Sequence, residues 1–358
     1  MLLVMKNIYQ YIIEQHEDLD LIALATVTRT SDSAPQKPGS SALFGKNGLI
    51  TGTVGGGLVE GNIQKSAIEA LKSKTSGHFS FNLANDISKK EEAICGGQIS
   101  VLIDANVKNS LKTFEQVKLS LSIRKPGVII TMATTQSGKM VIINRYFMSD
   151  SVNPGLPPAF MEKIGPVVRD IISSGNPSDF RELELSIPNE ETSSIFFFEP
   201  VLPPCSLVIA GAGHIGKALS HLGSLLGFEV TVIDDRPEFA NTENLPDADH
   251  VVVKNIGEAV HKIEKDVNTF IVIVTRGHKD DAEALKACIG SGVAYTGMIG
   301  SRNKISAMRK DFIEKKWASP ELWDKVCAPI GLDIKSQTVE EIAVSIAAQL
   351  VLVKNSRK

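Results

Sequence analysis

SLVIAGAGHIGKALSHLGSLLGFEVTVIDD, residues Ser206 to Asp235, is the stretch whose reading decides the fold. A short apolar run leads into Gly211-Ala212-Gly213-His214-Ile215-Gly216, then into a helical run, then into a second apolar run that ends in acids. That order of strand, G-x-G-x-x-G turn, helix and strand is the context in which the glycine pattern reads as a dinucleotide-binding fingerprint. Gly211 allows the tight turn, Gly213 lets a pyrophosphate approach the backbone, and Gly216 permits close packing of helix on strand. The phosphates would sit at the helix N-terminus, at His214, where unpaired amides and the helix dipole favour negative charge. Asp234, eighteen residues past Gly216, would hydrogen-bond a ribose diol; Arg236 keeps a 2'-phosphate open as the alternative. A glycine turn that merely packs a helix on a sheet is the plainer account of the same residues.

Downstream, EVTVID, HVVVK, TFIVIVT and VAYTGMIG alternate with helical stretches, the signature of a parallel sheet covered on both faces. Two further loops fall at the carboxyl ends of these strands, the edge where open α/β sheets bind ligands: TRGHKDD (Thr275 to Asp281) and GSRNK (Gly300 to Lys304). Arg276, Arg302 and His278 would reach an anionic or heteroaromatic ligand there, and His278 would also serve to move a proton. The competing account has Asp280 or Asp281 capping the helix AEALKACI and pairing with Arg276, with His278 a solvated loop residue. The final helix, QTVEEIAVSIAAQLVLV, carries Thr338 and Glu341 at capping-box spacing.

Upstream, the double proline Pro203-Pro204 marks a change of texture, so the chain divides into 1–200 and 201–358. The expected fold is α/β: a C-terminal Rossmann-like parallel sheet with helices on both faces, plus an N-terminal α+β mixed-sheet domain, with lobes of about 1–105 and 106–200 left open. In the N-terminal part, GTVGGGLVEGNIQ (Gly52 to Gln64) places Gly55, Gly56 and Gly57 between a strand and a helix whose first turn holds Glu60. Side-chain-free residues let backbone amides approach an anion closely, although a helix entry needing positive dihedrals asks for the same glycines. Glu60 also suits a first-turn acid complementing the helix dipole. Cys95, in Ile94-Cys95-Gly96-Gly97, would have its thiolate stabilised by neighbouring amides and act as a soft ligand or sulfur acceptor; a small buried hydrophobe is the alternative. The stretch SDSVNPGLPPAF reads as a surface loop.

Composition narrows the function. The 358 residues carry 38 Lys+Arg against 41 Asp+Glu, a formal charge of -3, which leaves no basic field for a nucleic-acid backbone. Four scattered cysteines form no C-x-x-C and fit a reducing compartment, so the expected location is cytoplasmic. They also cannot supply the grouped ligands of iron-sulfur clusters. The opening MLLVMKNIYQYIIEQ does not read as a signal peptide, and no run is long enough to span a bilayer.

Several blocks together, ATVTRTSDSAPQKPGSSALFGKNGLITGTVGGGLVEGNI, AICGGQISVLID, FFFEPVLPPCSLVIAGAGHIGKAL, VIDDRPEFAN, VTRGHKDD, GMIGSRNK and APIGLDIKSQTVEEIAVSI, resemble the XdhC/CoxI family, from about Leu21 to Val353. The resemblance implies an accessory factor for a molybdenum hydroxylase such as xanthine dehydrogenase, more a cofactor-binding chaperone than the enzyme itself. Such a factor binds the molybdenum cofactor (molybdopterin), supports its sulfuration and hands it to the apo-enzyme, with a cysteine desulfurase as sulfur donor and a homodimer as the expected assembly. Gly55, Gly56, Gly57 and Glu60 match the family's glycine-rich loop, in which many members read S-G-G-C-V-E; here Leu58 stands at the cysteine position, which shifts any metal or sulfur role to Cys95. Ser33, Pro35 and Gly39 carry the match on the preceding loop. Two other classes stay open: an NAD-dependent oxidoreductase, although no tyrosine has a lysine four residues on, and a nucleotide-sensing module. Two glycine loops suggest two phosphate-bearing ligands, or one large ligand held between domains.

Overall fold

The computed structural model describes residues 8–31, 36–82, 97–137, 140–150, 152, 154–156, 158–186 and 193–356. Two compact units divide between Pro203 and Pro204. Consecutive prolines offer no N–H to either sheet, so neither can extend through them.

The N-terminal unit comprises α1 (Ile8–Glu14), β1 (Ala23–Thr30), β2 (Ser41–Gly45), β3 (Gly48–Gly52), α2 (Gly57–Ser73), β4 (Gly77–Asn82), β5 (Gln98–Asp104), α3 (Leu111–Ser122), β6 (Gly127–Ser137), β7 (Met140–Met148), α4 (Pro158–Ser174), β8 (Arg181–Ser186) and β9 (Ser193–Val201). Its strands form one nine-stranded sheet in the order β3-β2-β1-β5-β4-β7-β6-β9-β8. Every described pairing in it is antiparallel, a more regular arrangement than a mixed sheet. Strands β4 and β7 share only the pair Gly77↔Met140, so two sub-sheets are joined by a narrow seam.

Period-two alternation sorts the residues of β1 between two layers. Ala23, Ala25 and Val27 meet Ile63, Ala67 and Ala70 of α2, whereas Leu24 on the opposite face joins Tyr9 and Ile12 of α1 and Phe114 and Val117 of α3. Helix α4 covers Val128, Ile130, Phe196 and Phe198 through Phe160, Ile164, Val168 and Ile171. Those four residues lie on one helical stripe, but the prolines around them read as loop. Pro158 opens the helix, where a missing N–H costs nothing, and only Pro166 lies inside it.

The C-terminal unit runs β10 (Ser206–Ala210), α5 (His214–Leu225), β11 (Glu229–Asp234), β12 (His250–Val253), α6 (Ile256–Lys262), β13 (Thr269–Ile273), α7 (His278–Cys288), β14 (Tyr295–Met298), α8 (Arg302–Glu314), α9 (Pro320–Trp323) and α10 (Val339–Ser356). Its sheet, β12-β11-β10-β13-β14, is parallel throughout. Val208, Ala210, Ile271 and Ile273 pack with α6, α7 and α8 on one face, and Leu207, Ile209, Phe270 and Val272 pack with α5 and α10 on the other. The chain steps outward from β10 to β12, then crosses back to β13 on the other side of β10, so the topological switch point lies between β10 and β13. At α10 the capping box is made: Glu341 N donates to Thr338 Oγ1 at 3.2 Å, and Thr338 N donates to Glu341 Oε2 at 3.1 Å. Among the described residues no helix is long and apolar enough to cross a membrane.

Candidate functional site

The three glycines after β10 have different reasons to be glycine. Gly211 has φ +117, and a Cβ there would lie 2.5 Å from Val274 O. A Cβ on Gly216 would lie 1.9 Å from Gly211 O, so the helix approaches the turn only because that side chain is missing. Gly213 has φ -69, and nothing lies within 4 Å of where its Cβ would point. The fold therefore needs Gly211 and Gly216, while Gly213 leaves open space in front of the first amides of α5.

Helix caps sharpen the contrast. In this unit α6, α8 and α9 start on Asn255, Ser301 and Ser319, whose side chains accept first-turn amides. Helices α5 and α7 start on Gly213 and Gly277, with no side-chain cap. These two uncapped helices follow β10 and β13, the neighbouring strands at the switch point. Their orphan N–H groups and dipoles make that edge suited to an anion.

Around this edge, His214, His278 and Arg302 are the exposed first residues of α5, α7 and α8. Arg276 lies in the loop before α7, and its guanidinium is 3.6 Å from Asp235 Oδ2. The local pairing of Arg276 with Asp280 or Asp281 is not what forms, and the helix begins at His278, before both acids. Asp281 is instead buried; it accepts from Thr275 Oγ1 at 2.6 Å and pairs with Lys304 Nζ. That ion pair ties TRGHKDD to GSRNK. Neither Thr275 nor Lys304 stands out in the sequence, since each finds its role through a partner on another element.

Asp234 occupies the fingerprint position, but it is 1% exposed and its oxygens are already engaged. Ala212 N donates to Oδ2 at 2.8 Å, Arg236 N to Oδ1 at 3.1 Å, Arg236 Nε to Oδ1 at 2.8 Å and Arg236 Nη2 to Oδ2 at 2.9 Å. Burial by itself would raise the Asp234 pKa; the bonds from Arg236 and Ala212 outweigh it and bring it below the usual carboxylate range. Beside α5, His214, Lys217, Ser220 and His221 line a cavity of about 450 Å³ that also touches Asp247 and Glu340; none of the three glycines lines it.

In the N-terminal unit Gly55 and Gly57 have φ +147 and +59, conformations that side chains disfavour, whereas Gly56 is extended and a Cβ on it would meet nothing within 4 Å. Gly56 also caps α2 without a side-chain bond, so it repeats the state of Gly213. Thr53 Oγ1 lies 2.9 Å from Gly55 O and 3.1 Å from Glu60 Oε2, and its single proton serves one of them at a time. Glu60 is thus fixed to its own loop. Thr275 relates to Gly277 and Asp281 in the same way, so both units brace a glycine-capped helix entry with a threonine.

Antiparallel pairing collects the loops of this unit at one end of the sheet. Thr53 N donates to Ser41 O, Val27 N to Ser40 O, and Gly39 N to Val27 O, which sets the glycine loop beside the segment that precedes β2. Ser31 N donates to Gln98 O, and Gln98 N to Ser31 Oγ, both at 3.0 Å, which brings in the start of β5. Cys95, Ser33 and Pro35 lie outside the described residues. Among the described residues no group of three or more His, Cys, Asp and Glu is arranged to hold a metal ion. Of the other cysteines, burial pushes the Cys288 thiol up to about 12 and raises that of Cys327, so neither supplies a ready thiolate.

A second polar centre sits inside this sheet. Tyr9 Oη donates to Glu199 Oε2 at 2.5 Å, and Arg145 pairs with Asp104, its guanidinium also reaching Ser110 Oγ at 3.1 Å. Tyr9, Arg145 and Glu199 line a cavity of about 10 Å³ with Thr26, Thr28 and Thr131, room for about one water molecule. Burial raises the Glu199 carboxyl to about 7, against the lowering effects of the Tyr9 bond and the Arg145 charge.

Two stretches of the chain match known protein families. Residues 207–350 match the XdhC Rossmann domain, and residues 19–82 match the XdhC and CoxI family. A probable xanthine dehydrogenase subunit of Bacillus subtilis (strain 168) is 25% identical over 338 residues, 94% of this chain and 94% of that protein. The uncharacterized protein YqeB of Escherichia coli (strain K12) is 32% identical over 151 residues, 42% of this chain and 27% of its own length. The crystal structure of a xanthine dehydrogenase from Bacillus halodurans shares the fold, with a TM-score of 0.76, 24% identity, and coverage of 97% of this chain and 96% of that one.

Proposed function

Because the chain belongs to the XdhC and CoxI family, with residues 19–82 and 207–350 matched, we propose that it is an accessory factor for a molybdenum hydroxylase of the xanthine dehydrogenase type. In this reading it binds molybdenum cofactor, supports its sulfuration and delivers it to the apo-enzyme. The observation that carries the reading is the pair of uncapped helix entries at Gly56 and Gly213, each with open space where a Cβ would stand. Both suit a phosphate-bearing ligand, because backbone amides approach an anion closely only where no side chain intervenes.

An anionic group of the cofactor would be held by the amides at Gly55 to Gly57 in the N-terminal unit or, as a separate site, by those at Gly211 to Gly216 in the C-terminal unit, where His214, Arg276 and Arg302 would add donors at neighbouring loops. Glu60 would brace the first loop through Thr53, whose Oγ1 lies 3.1 Å from its Oε2. Cys95, two residues before Gly97, would be the soft ligand or the sulfur acceptor of the scheme, its thiolate attacking the outer sulfur of a cysteine desulfurase's persulfide, breaking that S–S bond and releasing the desulfurase thiolate. His278, at the start of α7, would move a proton at the C-terminal unit's own ligand edge. When bound, the cofactor carries the redox metal that the client enzyme uses; the part of this chain is to hold it, shield it and release it, as a cytoplasmic homodimer.

The test uses the full chain purified from a host with cofactor synthesis intact. Pterin is read by oxidation fluorescence and molybdenum by elemental analysis, for wild type, Gly56→Ala, Gly213→Ala and Cys95→Ser. Alanine at Gly56 or Gly213 meets no protein atom within 4 Å, so those variants are expected to fold normally and lose pterin, while Cys95→Ser loses molybdenum or its sulfur but keeps pterin. Wild-type protein carrying neither pterin nor molybdenum would defeat the proposal.

A further inference from the structure

We propose that Arg236 is the residue that decides which phosphate esters the C-terminal unit accepts, by occupying the carboxylate that a ribose diol would need. The inference rests on the cofactor reading above and deepens it. Three observations carry it. First, Asp234 is 1% exposed and accepts four hydrogen bonds, three of them from Arg236 and one from Ala212 N. A carboxylate presents about four lone-pair sites, so a diol reaching Asp234 must displace one of these donors. Second, Arg236 is itself held in place: its guanidinium lies 4.0 Å from the centroid of the Phe239 ring, and its Nε is 4.0 Å from Asp235 Oδ1. Third, the phosphate end of the fingerprint is open where the ribose end is closed, since Gly213 faces space and caps α5 without a side chain.

The ligand class follows from that asymmetry. The edge grips a phosphate through the amides at Gly213 and leaves the rest of the ligand to be recognised by something other than its sugar. A phosphate ester without a vicinal diol, such as the phosphate of a pterin, meets no penalty. A dinucleotide whose adenosine ribose carries free 2'- and 3'-hydroxyls would have to break a bidentate pair between Arg236 and Asp234, an interaction of the charge-assisted kind. The spacing of the fingerprint is therefore that of an NAD site, while the occupancy of its acid is not.

The experiment is isothermal titration of the full chain, freed of bound small molecules, with NAD and separately with inorganic pyrophosphate as a probe of the phosphate cradle. Wild type is expected to show no saturable NAD binding up to millimolar concentrations. Arg236→Ala is expected to tighten NAD binding at least tenfold, and the double variant Arg236→Ala/Asp234→Asn to lose that gain. Arg236→Lys, which keeps the charge but not the fork, should fall between. Thermal unfolding followed through tryptophan fluorescence checks that each variant is folded, since Trp317 and Trp323 lie in this unit. Wild-type NAD binding in the micromolar range that Asp234→Asn abolishes would overturn the proposal, as would folded Arg236 variants, Ala and Lys alike, with no gain. Pyrophosphate reports on the other question: failure to bind it in wild type would count against the phosphate cradle and the cofactor reading, while the NAD series still decides the role of Arg236.

Discussion

Replacing Glu199 by glutamine should change how the stability of the N-terminal unit depends on pH. Glu199 is buried, accepts the Tyr9 hydroxyl at 2.5 Å, and has its carboxyl raised from 4.5 to about 7, chiefly by burial. Between those two pH values the folded state binds more protons at this group than the unfolded state. Stability therefore falls as pH rises through the window and is level above about 7. Holding that proton at about 7 in the folded chain against 4.5 in the unfolded one is worth about 3 kcal/mol. His78 works the other way, because burial lowers its pKa, so the folded state holds it neutral and gains stability as pH rises toward 6.5. It is present in both proteins and cancels in the difference. Urea unfolding of wild type and Glu199→Gln from pH 5 to 8, read by hydrogen exchange on β7 and β9 peptides, gives that difference directly. Wild type should lose up to about 2.5 kcal/mol relative to the variant over this range. Tryptophan fluorescence supplies the control, because both tryptophans lie in the other unit and their transition should not separate the two proteins. A wild-type-minus-variant difference flat to within about 0.5 kcal/mol would refute the assignment of a buried, proton-holding Glu199.

Gly216→Ala should prevent the C-terminal unit from packing as it does, because its Cβ would stand 1.9 Å from the backbone oxygen of Gly211, whereas Gly213→Ala should leave urea stability within about 0.5 kcal/mol. Equal stability losses for the two would mean that the turn is not shaped as described. Asp281→Ala should cost about 3 kcal/mol by leaving Lys304 and Thr275 without their buried acceptor, and chemical denaturation followed at Trp317 and Trp323 reads it; a loss under about 1 kcal/mol would show that the pair does not brace these loops.

Residue spacing alone determined a good deal of this protein. The alternation of apolar runs and helices after Pro204, the glycine fingerprint and the Thr338/Glu341 box are local signals, set by side-chain periodicity and by what a turn or a cap requires of the backbone. Helix α4 was within reach on the same terms through Phe160, Ile164, Val168 and Ile171, but Pro158 and Pro166 obscured it. What only the tertiary structure decided is the partner of each polar group. Asp234 has the right distance from Gly216 for a ribose acid, yet the backbone folds Arg236 onto it. Lys304 finds Asp281, and Tyr9 finds Glu199 across 190 residues of chain. The gathering of the segment before β2, the glycine loop and the start of β5 at one end of the N-terminal sheet likewise follows from strand order. Short-range patterns encode the conformation of a segment, but a buried donor or acceptor must be satisfied by whichever group packing brings within about 3 Å, and that choice is made by the whole fold.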